Sequence, residues 1–289
     1  MKSIVKNSIL ILVVILITFN SVYGQREHMR LKSYTENVNE IDLVYSDDNR
    51  LSKIGYTTFN YDAEGRIIKN DKISYNYNDL GQVSQIISNK GGSFGNLETE
   101  IVYNTDSLIV SFVSKYERGD LGTATSTFEY DGNKRLKTII EKGADGRGYG
   151  RITLTYDDNN NIVQQLKEKS YDGTSYRQVS VSNYTFDTKN NPSYNVLSKT
   201  GNSNTINIFH IIYNLSIGGQ SAYETLYYYS KNNILSSKVT GASGNAATQT
   251  YTYVYDENDY PVSAKLEYSF SPDSSYNRTE TRGWVYENY

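Results

Sequence analysis

The chain of 289 residues contains no cysteine, and that one absence removes several chemistries together. No disulfide, thiolate nucleophile or sulfur-ligated metal can form, and no cysteine is present to carry a lipid. Histidine is nearly as scarce: His28 and His210 are the only two, too few for a histidine metal cluster, and no HExxH string occurs. Without them a Ser/His/Asp set has almost nothing to recruit, and no nucleophile elbow is present. Proline is limited to Pro192, Pro261 and Pro272, the first two read as lying at strand starts, where a missing donor matters least. No segment sustains a hydrophobic period near 3.6, which predicts almost no helix beyond the opening residues.

Those opening residues hold the one long apolar run. Lys2 and Lys6 precede Ile9 to Ile17, and small or polar residues follow up to Gly24. This is the layout of an export signal, with cleavage expected after Gly24. The run is too short for a comfortable membrane span of roughly 20 residues. Removing it leaves 27 Lys and Arg against 32 Asp and Glu, a net charge of −5. With the charges mixed and no basic stripe, nucleic acid is not an expected partner. The expected division is 1–24 signal, 25–38 a flexible N-terminal segment, and 39–289 one domain, secreted or periplasmic and not a lipoprotein.

What the chain has in excess is tyrosine, 29 against 8 phenylalanines and a single tryptophan, Trp284. The tyrosines mark a repeat. An aromatic followed by Asp, Asn or Ser recurs at Tyr45, Tyr61, Tyr77, Tyr103, Tyr130, Tyr156, Phe186, Tyr229 and Tyr255, with Tyr213 as a degenerate tenth. The period is elastic, the anchors lying between 16 and 30 residues apart. Before each anchor the chain alternates, as in Ile41, Leu43 and Tyr45 or Ile152, Leu154 and Tyr156, which is the pattern of a half-buried strand. After it come a few polar residues and then an aliphatic (Leu51, Ile67, Val83, Leu136, Ile162 or Leu235) that opens a second strand.

Each unit therefore reads as strand, tight turn, strand. In "DAEG" the Asp62 carboxylate accepts local backbone hydrogen bonds, and Gly65 takes the left-handed conformation that rejoins the next strand through a bulge. Asn49, Gly81, Asn160, Asn190, Asn233 and Asp259 stand at the same offset. Lys134 breaks that rule, and Gly132 and Asn133 are expected to carry its turn instead. At the other ends of the hairpins the connections are longer and glycine-rich, which gives the assembly two unlike rims.

The string from Tyr61 to Ile67, Tyr-Asp-x-x-Gly-Arg-Ile, resembles the YD repeat of RHS and teneurin-type proteins, whose hairpins spiral into a β shell. The chain is also similar to exported bacterial families of unknown function that carry degenerate YD-like hairpins and a porin-like, barrel-shaped fold. The likeness spans roughly 39–289, although Gly becomes Asn and Arg becomes Gln, Leu or Asn in other copies. The resemblance implies the hairpin architecture and not toxin delivery, since a shell this small could not enclose a folded cargo. The expected fold is all-β: an antiparallel meander of about ten hairpins forming a curled sheet or flattened barrel, since so many strands rarely stay open.

The paired acids Asp47 and Asp48, Asp157 and Asp158, and Glu257 and Asp259 fall in the turns, where their structural role is already explained. "YDDNNN" and "YDENDY" lack the full alternation of a calcium loop. No metal or cofactor is expected. His210, within "NIFHIIY", reads as a strand residue. The candidate binding residues are instead the aromatics of the long loops, Phe94, Tyr116, Tyr149, Tyr171 and Tyr176, since loops on a rigid β scaffold are where binding resides. The expected function is a non-enzymatic binding or structural scaffold of the envelope or exterior, with polysaccharide or an envelope component as partner. The alternatives are an outer-membrane β-barrel and a glycan-active enzyme.

Overall fold

The structure is a computed structural model that describes residues 29–71, 73–89, 96–117, 122–143, 148–192, 194 and 230–289. The segment 1–24 read as an export signal, His28, Phe94, His210, Tyr213 and Tyr229 lie outside the described residues. The first nine strands are β1 (Met29–Glu36), β2 (Asn39–Tyr45), β3 (Leu51–Ile54), β4 (Thr57–Tyr61), β5 (Ile67–Asn70), β6 (Ile73–Tyr77), β7 (Val83–Asn89), β8 (Asn96–Tyr103) and β9 (Ile109–Tyr116). The second nine are β10 (Thr123–Tyr130), β11 (Leu136–Lys142), β12 (Tyr149–Tyr156), β13 (Ile162–Ser170), β14 (Arg177–Asn190), β15 (Asn232–Gly241), β16 (Ala246–Tyr255), β17 (Pro261–Ser271) and β18 (Arg278–Asn288). Each strand pairs antiparallel with the next, and β1 pairs with β18, so the 18 strands form a closed barrel with no free edge. Among the described residues helix is confined to a 3-10 turn at Ser274–Tyr276 and the neighbourhood of Pro192.

Three expectations need correction. The segment 25–38, read as flexible, contributes β1, which closes the barrel against β18. The Phe186 and Tyr229 copies are not two hairpins: β14, ending beyond Phe186, pairs directly with β15 in the register Phe186↔Ile234, so the two strands make one unit. Asn190 and Asn233 accordingly lie within strands and not at left-handed positions, and Pro192 follows a strand instead of opening one. Nine two-strand units result, the ninth formed by β18 and β1, where Tyr286↔Leu31 repeats the aromatic-to-aliphatic register of Tyr61↔Ile67 and Tyr77↔Val83. Neither Tyr286 nor Leu31 was legible as a repeat member, because no turn joins them.

The turns follow the chemistry read from the sequence. Asp62 accepts the backbone N–H of Arg66 at 2.7 Å, and Asp131, Asp157 and Asp256 accept from the residue four ahead in the same way. Positive φ occurs at Asn49, Gly65, Gly81, Asn160 and Asp259, and also at Ser107. Lys134 itself has φ 60, so the expectation that Gly132 and Asn133 would replace it fails: the Asp131 hydrogen bonds impose the geometry whatever residue fills the position. A register shift before the anchor inserts one extra residue in the returning strand of these units. Leu235 is such a residue and is partly exposed, while Ile234 faces inward.

The motif's acid and arginine act on neighbouring hairpins. Asp62 holds Arg66 by a 2.7 Å ion pair, and the guanidinium lies 4.5 Å over the ring of Tyr77 in the next unit. Asp131, Arg135 and Tyr156 repeat the arrangement, with 2.7 Å and 4.6 Å. The tyrosine hydroxyl supplies the second link. Tyr45, Tyr61, Tyr77, Tyr103, Tyr130, Tyr156, Tyr253 and Tyr286 each donate to the carbonyl of Leu31, Leu51, Ile67, Val83, Ile109, Leu136, Ile234 and Pro261, at 2.5 to 3.1 Å. Burial pushes Tyr45, Tyr61 and Tyr130 up to about 12, so these hydroxyls keep their protons and remain donors. Phe186 has no hydroxyl and leaves the ring of bonds open at one place.

The inner face above this girdle is apolar. Leu51, Val83, Ile139 and Leu266 are fully buried, and they belong to one cluster with residues from β1 to β18. A round, empty barrel of 18 strands would leave a wet channel; burial this complete means that these inward side chains do not face water. The outer face is mixed: Glu98 and Glu100 on β8, Thr250 and Thr252 on β16, and Lys265 and Glu267 on β17 are exposed, and so are Val44, Val102, Val254 and Val285 beside the anchors.

The elastic repeat is explained by wall height. The short turns share one rim, so spacing differences appear at the other. β3 and β5 have 4 residues and β17 and β18 have 11, or about 13 Å against about 37 Å of wall at 3.3 to 3.4 Å per residue. Removing a single girdle hydroxyl in Tyr156→Phe is expected to cost about 1 kcal/mol, read as a lower urea midpoint, because the buried Leu136 carbonyl loses its donor. Tyr56→Phe, at a residue 98 % exposed, is expected to leave the midpoint unchanged.

Candidate functional site

At the long-loop rim the strands β9 to β14 surround a cavity of about 850 Å³, lined among others by Ser126, Glu141, Tyr149, Lys169, Tyr171 and Arg177. It opens at the barrel end opposite the girdle. The inner face changes character along the strands. Beside the anchors stand pairs such as Ile101↔Phe112 and Phe128↔Ile139, and Phe112 and Phe128 meet edge to face at 4.9 Å. One step further from the anchors the inward pairs become Thr99↔Ser114, hydrogen-bonded at 2.9 Å, and Ser126↔Glu141. Small hydroxyl residues leave the volume that the aromatics fill below.

Three of the five expected aromatics line this cavity: Tyr116 at the end of β9, Tyr149 at the start of β12 and Tyr171 in the loop after β13. They differ in freedom. Tyr171 is 94 % exposed and available to stack on a ligand. Tyr149 packs its ring over Gly173, where a Cβ would come within 3.1 Å of it; with φ +76, that position favours glycine twice over. Tyr176 lies apart, its ring under the Arg151 guanidinium at 4.1 Å, and Arg151 is paired with Glu168 at 2.7 Å. Phe94 lies outside the described residues.

The residues that sequence reasoning passed over are the polar ones, Glu141 above all. Its signal was present: Glu141 follows Ile139 with the inward parity of β11. The carboxylate lies over Gly150, where a Cβ would stand 3.1 Å from Oε2, so the glycine opens the space the acid occupies. Burial pushes the Glu141 carboxyl up to about 7, opposed by Lys167, whose own value is lowered by the same burial. Asp172 is the reverse case. The backbone N–H groups of Ser175 and Thr174 and the Ser170 hydroxyl all bond its Oδ1 at 2.8 Å and hold it well below the carboxylate range. Among the described residues no group of three or more His, Asp or Glu is placed to hold a metal ion.

No family model matches this chain, and no curated protein matches it. Among solved structures, it is similar to a porin-like protein from Bacteroides uniformis (17 % identity, TM-score 0.47, covering 89 % of this chain and 96 % of the other). A porin-like protein from Bacteroides vulgatus shows 11 % identity and a TM-score of 0.44, over 90 % of this chain and 99 % of that one. The TcdB2-TccC3 structure aligns with 83 % of this chain and 11 % of its own, at 14 % identity and a TM-score of 0.30.

A buried acid titrating near neutrality makes stability depend on pH. The unfolded carboxyl releases its proton near its ordinary value of 4.5, the folded one near 7. Stability from the protonated form is complete below about 4.5 and is lost as pH rises through about 7. Glu141→Gln is therefore expected to exceed the parent by roughly 1–2 kcal/mol at pH 8, the lost attraction for Lys167 limiting the gain. The difference should shrink toward pH 4. Urea titrations at both pH values measure it, and a difference independent of pH would refute the burial.

Proposed function

We propose that this protein is a water-soluble barrel of the cell envelope or exterior that binds carbohydrate at its long-loop mouth and performs no turnover. The observation that carries the reading is the cavity that gathers Tyr116, Tyr149 and Tyr171 among hydroxyl side chains, since a sugar offers an apolar ring face to aromatics and hydroxyls to polar groups. Below the hydroxyl layer the described inward residues form one buried apolar cluster, against which a bound ring would rest. Catalysis by two carboxylates needs a second acid facing Glu141 across the substrate. Asp172 has its Oδ1 committed to three donors that shape the loop.

A second reading places the barrel in the outer membrane, favoured by the closed antiparallel meander with an even strand number and by β15 to β18, whose 10 to 11 residues suffice to cross. The outer face supports the first reading. Lys265 and Glu267, paired at 2.6 Å, stand midway along β17 where a lipid-facing barrel needs apolar residues. A cation at the bilayer midplane costs about 2–4 kcal/mol. β3 and β5, with 4 residues each, are far too short to cross.

Two measurements test these readings. Fractionation of expressing cells is expected to release the protein by osmotic shock or into the medium; retention until detergent is added would establish the membrane reading instead. Purified protein is expected to be retarded on a polysaccharide affinity gel, with Tyr171→Ala weakening binding at least about tenfold while leaving the thermal midpoint unchanged, as befits so exposed a ring. Absence of retardation across neutral and acidic polysaccharides would overturn the binding reading.

A further inference from the structure

One feature of the mouth is costly unless something lies between its parts. Lys169 and Arg177 are direct cross-strand partners where β13 and β14 leave the barrel, and both line the cavity. Like charges set opposite each other on a sheet repel, and a fold with no other use for them would separate them or supply an acid. Among the described residues no acid is supplied: Arg151 takes Glu168 on the outer face, Asp172 is bonded within its own loop, and neither Lys169 nor Arg177 has an ion pair. Glu141 is inward too, but its charged neighbour is Lys167. An acidic chain, −3 overall, thus places two uncompensated cations in the wall of its cavity.

We propose that the cavity takes a carboxylate-bearing saccharide, a uronic-acid oligomer in chemical class, with its carboxylate between Lys169 and Arg177 and a ring face against Tyr171. The proposal deepens the carbohydrate reading and rests on it. The guanidinium presents a planar fork that matches a carboxylate, and the ammonium adds a point charge from the facing strand. Tyr171, in the loop joining these two strands, stands within one residue or two of a sugar ring seated there. Ser126 and Ser170 line the same cavity and offer hydroxyls to the ring substituents. Nothing in this recognition requires the acid to be terminal, so an internal residue of a polymer would serve.

The test compares probes that differ in charge alone. Calorimetric titration of the purified protein with oligogalacturonate and with its fully methyl-esterified form is expected to show at least about tenfold tighter binding of the acid at low salt. Raising the salt should narrow the gap. In the double variant Lys169→Gln, Arg177→Gln the two probes should bind alike, at the affinity of the ester for the parent. Both side chains are exposed, and thermal midpoints of variant and parent are compared to verify that the fold is kept. Equal affinity of the parent for acid and ester would overturn the charge assignment and leave the carbohydrate reading standing. Binding of neither probe would overturn the uronic-acid assignment, while retention on a neutral polysaccharide gel in that case would still support the broader reading. Inorganic phosphate is the control for a bare anion site: if it displaces oligogalacturonate at equal concentration and Tyr171→Ala changes nothing, the saccharide is not what the cavity recognises.

Discussion

The structure depends on a hydrogen bond made repeatedly between neighbouring hairpins, from a tyrosine hydroxyl to the carbonyl of the first inward aliphatic of the preceding returning strand. It does what the ladder of backbone bonds cannot. A ladder joins each strand to the next and leaves the stagger of successive hairpins to the side chains. The hydroxyl reaches over one strand pair and sets that stagger, and the arginine lying over the same ring reinforces it. Because a carbonyl at this depth needs a donor and a tyrosine hydroxyl needs an acceptor, each satisfies the other at little cost. The motif is thus a joint. Its acid and arginine, which together look like the beginning of a site, are used up in building the rim.

Once one rim is levelled by these joints, every irregularity of the repeat appears at the other. Units 16 residues apart make a low wall, and units 26 or more apart make a high one. The cavity lies in the taller part of the circumference, where the strands continue past the apolar layers and their inward residues change from phenylalanine and isoleucine to serine, glutamate and lysine. The change is a matter of depth. Near the girdle the inward side chains are apolar and buried; farther along, small hydroxyl side chains and Glu141 line the cavity.

Much of this was legible in the residues. Period-two alternation, the Asp-to-Gly turn chemistry and the bulge that follows it are local, so the hairpins, the inward tyrosines and the two unlike rims follow from neighbouring residues alone. Closure was not, because the Tyr286 to Leu31 register joins residues at opposite ends of the chain with no turn between them. Nor was the merging of the Phe186 and Tyr229 copies, since the "KNN" strings that resemble two turns are partners in one strand pair. At the mouth, Tyr116, Tyr149 and Tyr171, singled out as loop aromatics, line the cavity, the first two as end residues of β9 and β12. Glu141, Lys169 and Arg177 were missed because a charged residue in a strand looks like a solvated face until the register shows which way it points.

The seam between β1 and β18 has a temporal meaning. Every other strand pair except β14 with β15 forms within a short stretch of chain, so loop-closure entropy opposes it weakly. The seam joins residues more than 250 positions apart, Met29 with Asn288, and its register is set by side chains alone, among them the Arg30 to Glu287 pair at 2.7 Å. Until the last strand arrives, β1 stands as an open edge with inward leucine and tyrosine uncovered, the condition in which strands add to the wrong partner. A barrel that ends with no edge at all must therefore pass most of its assembly with one, and the final step is the step that makes it safe.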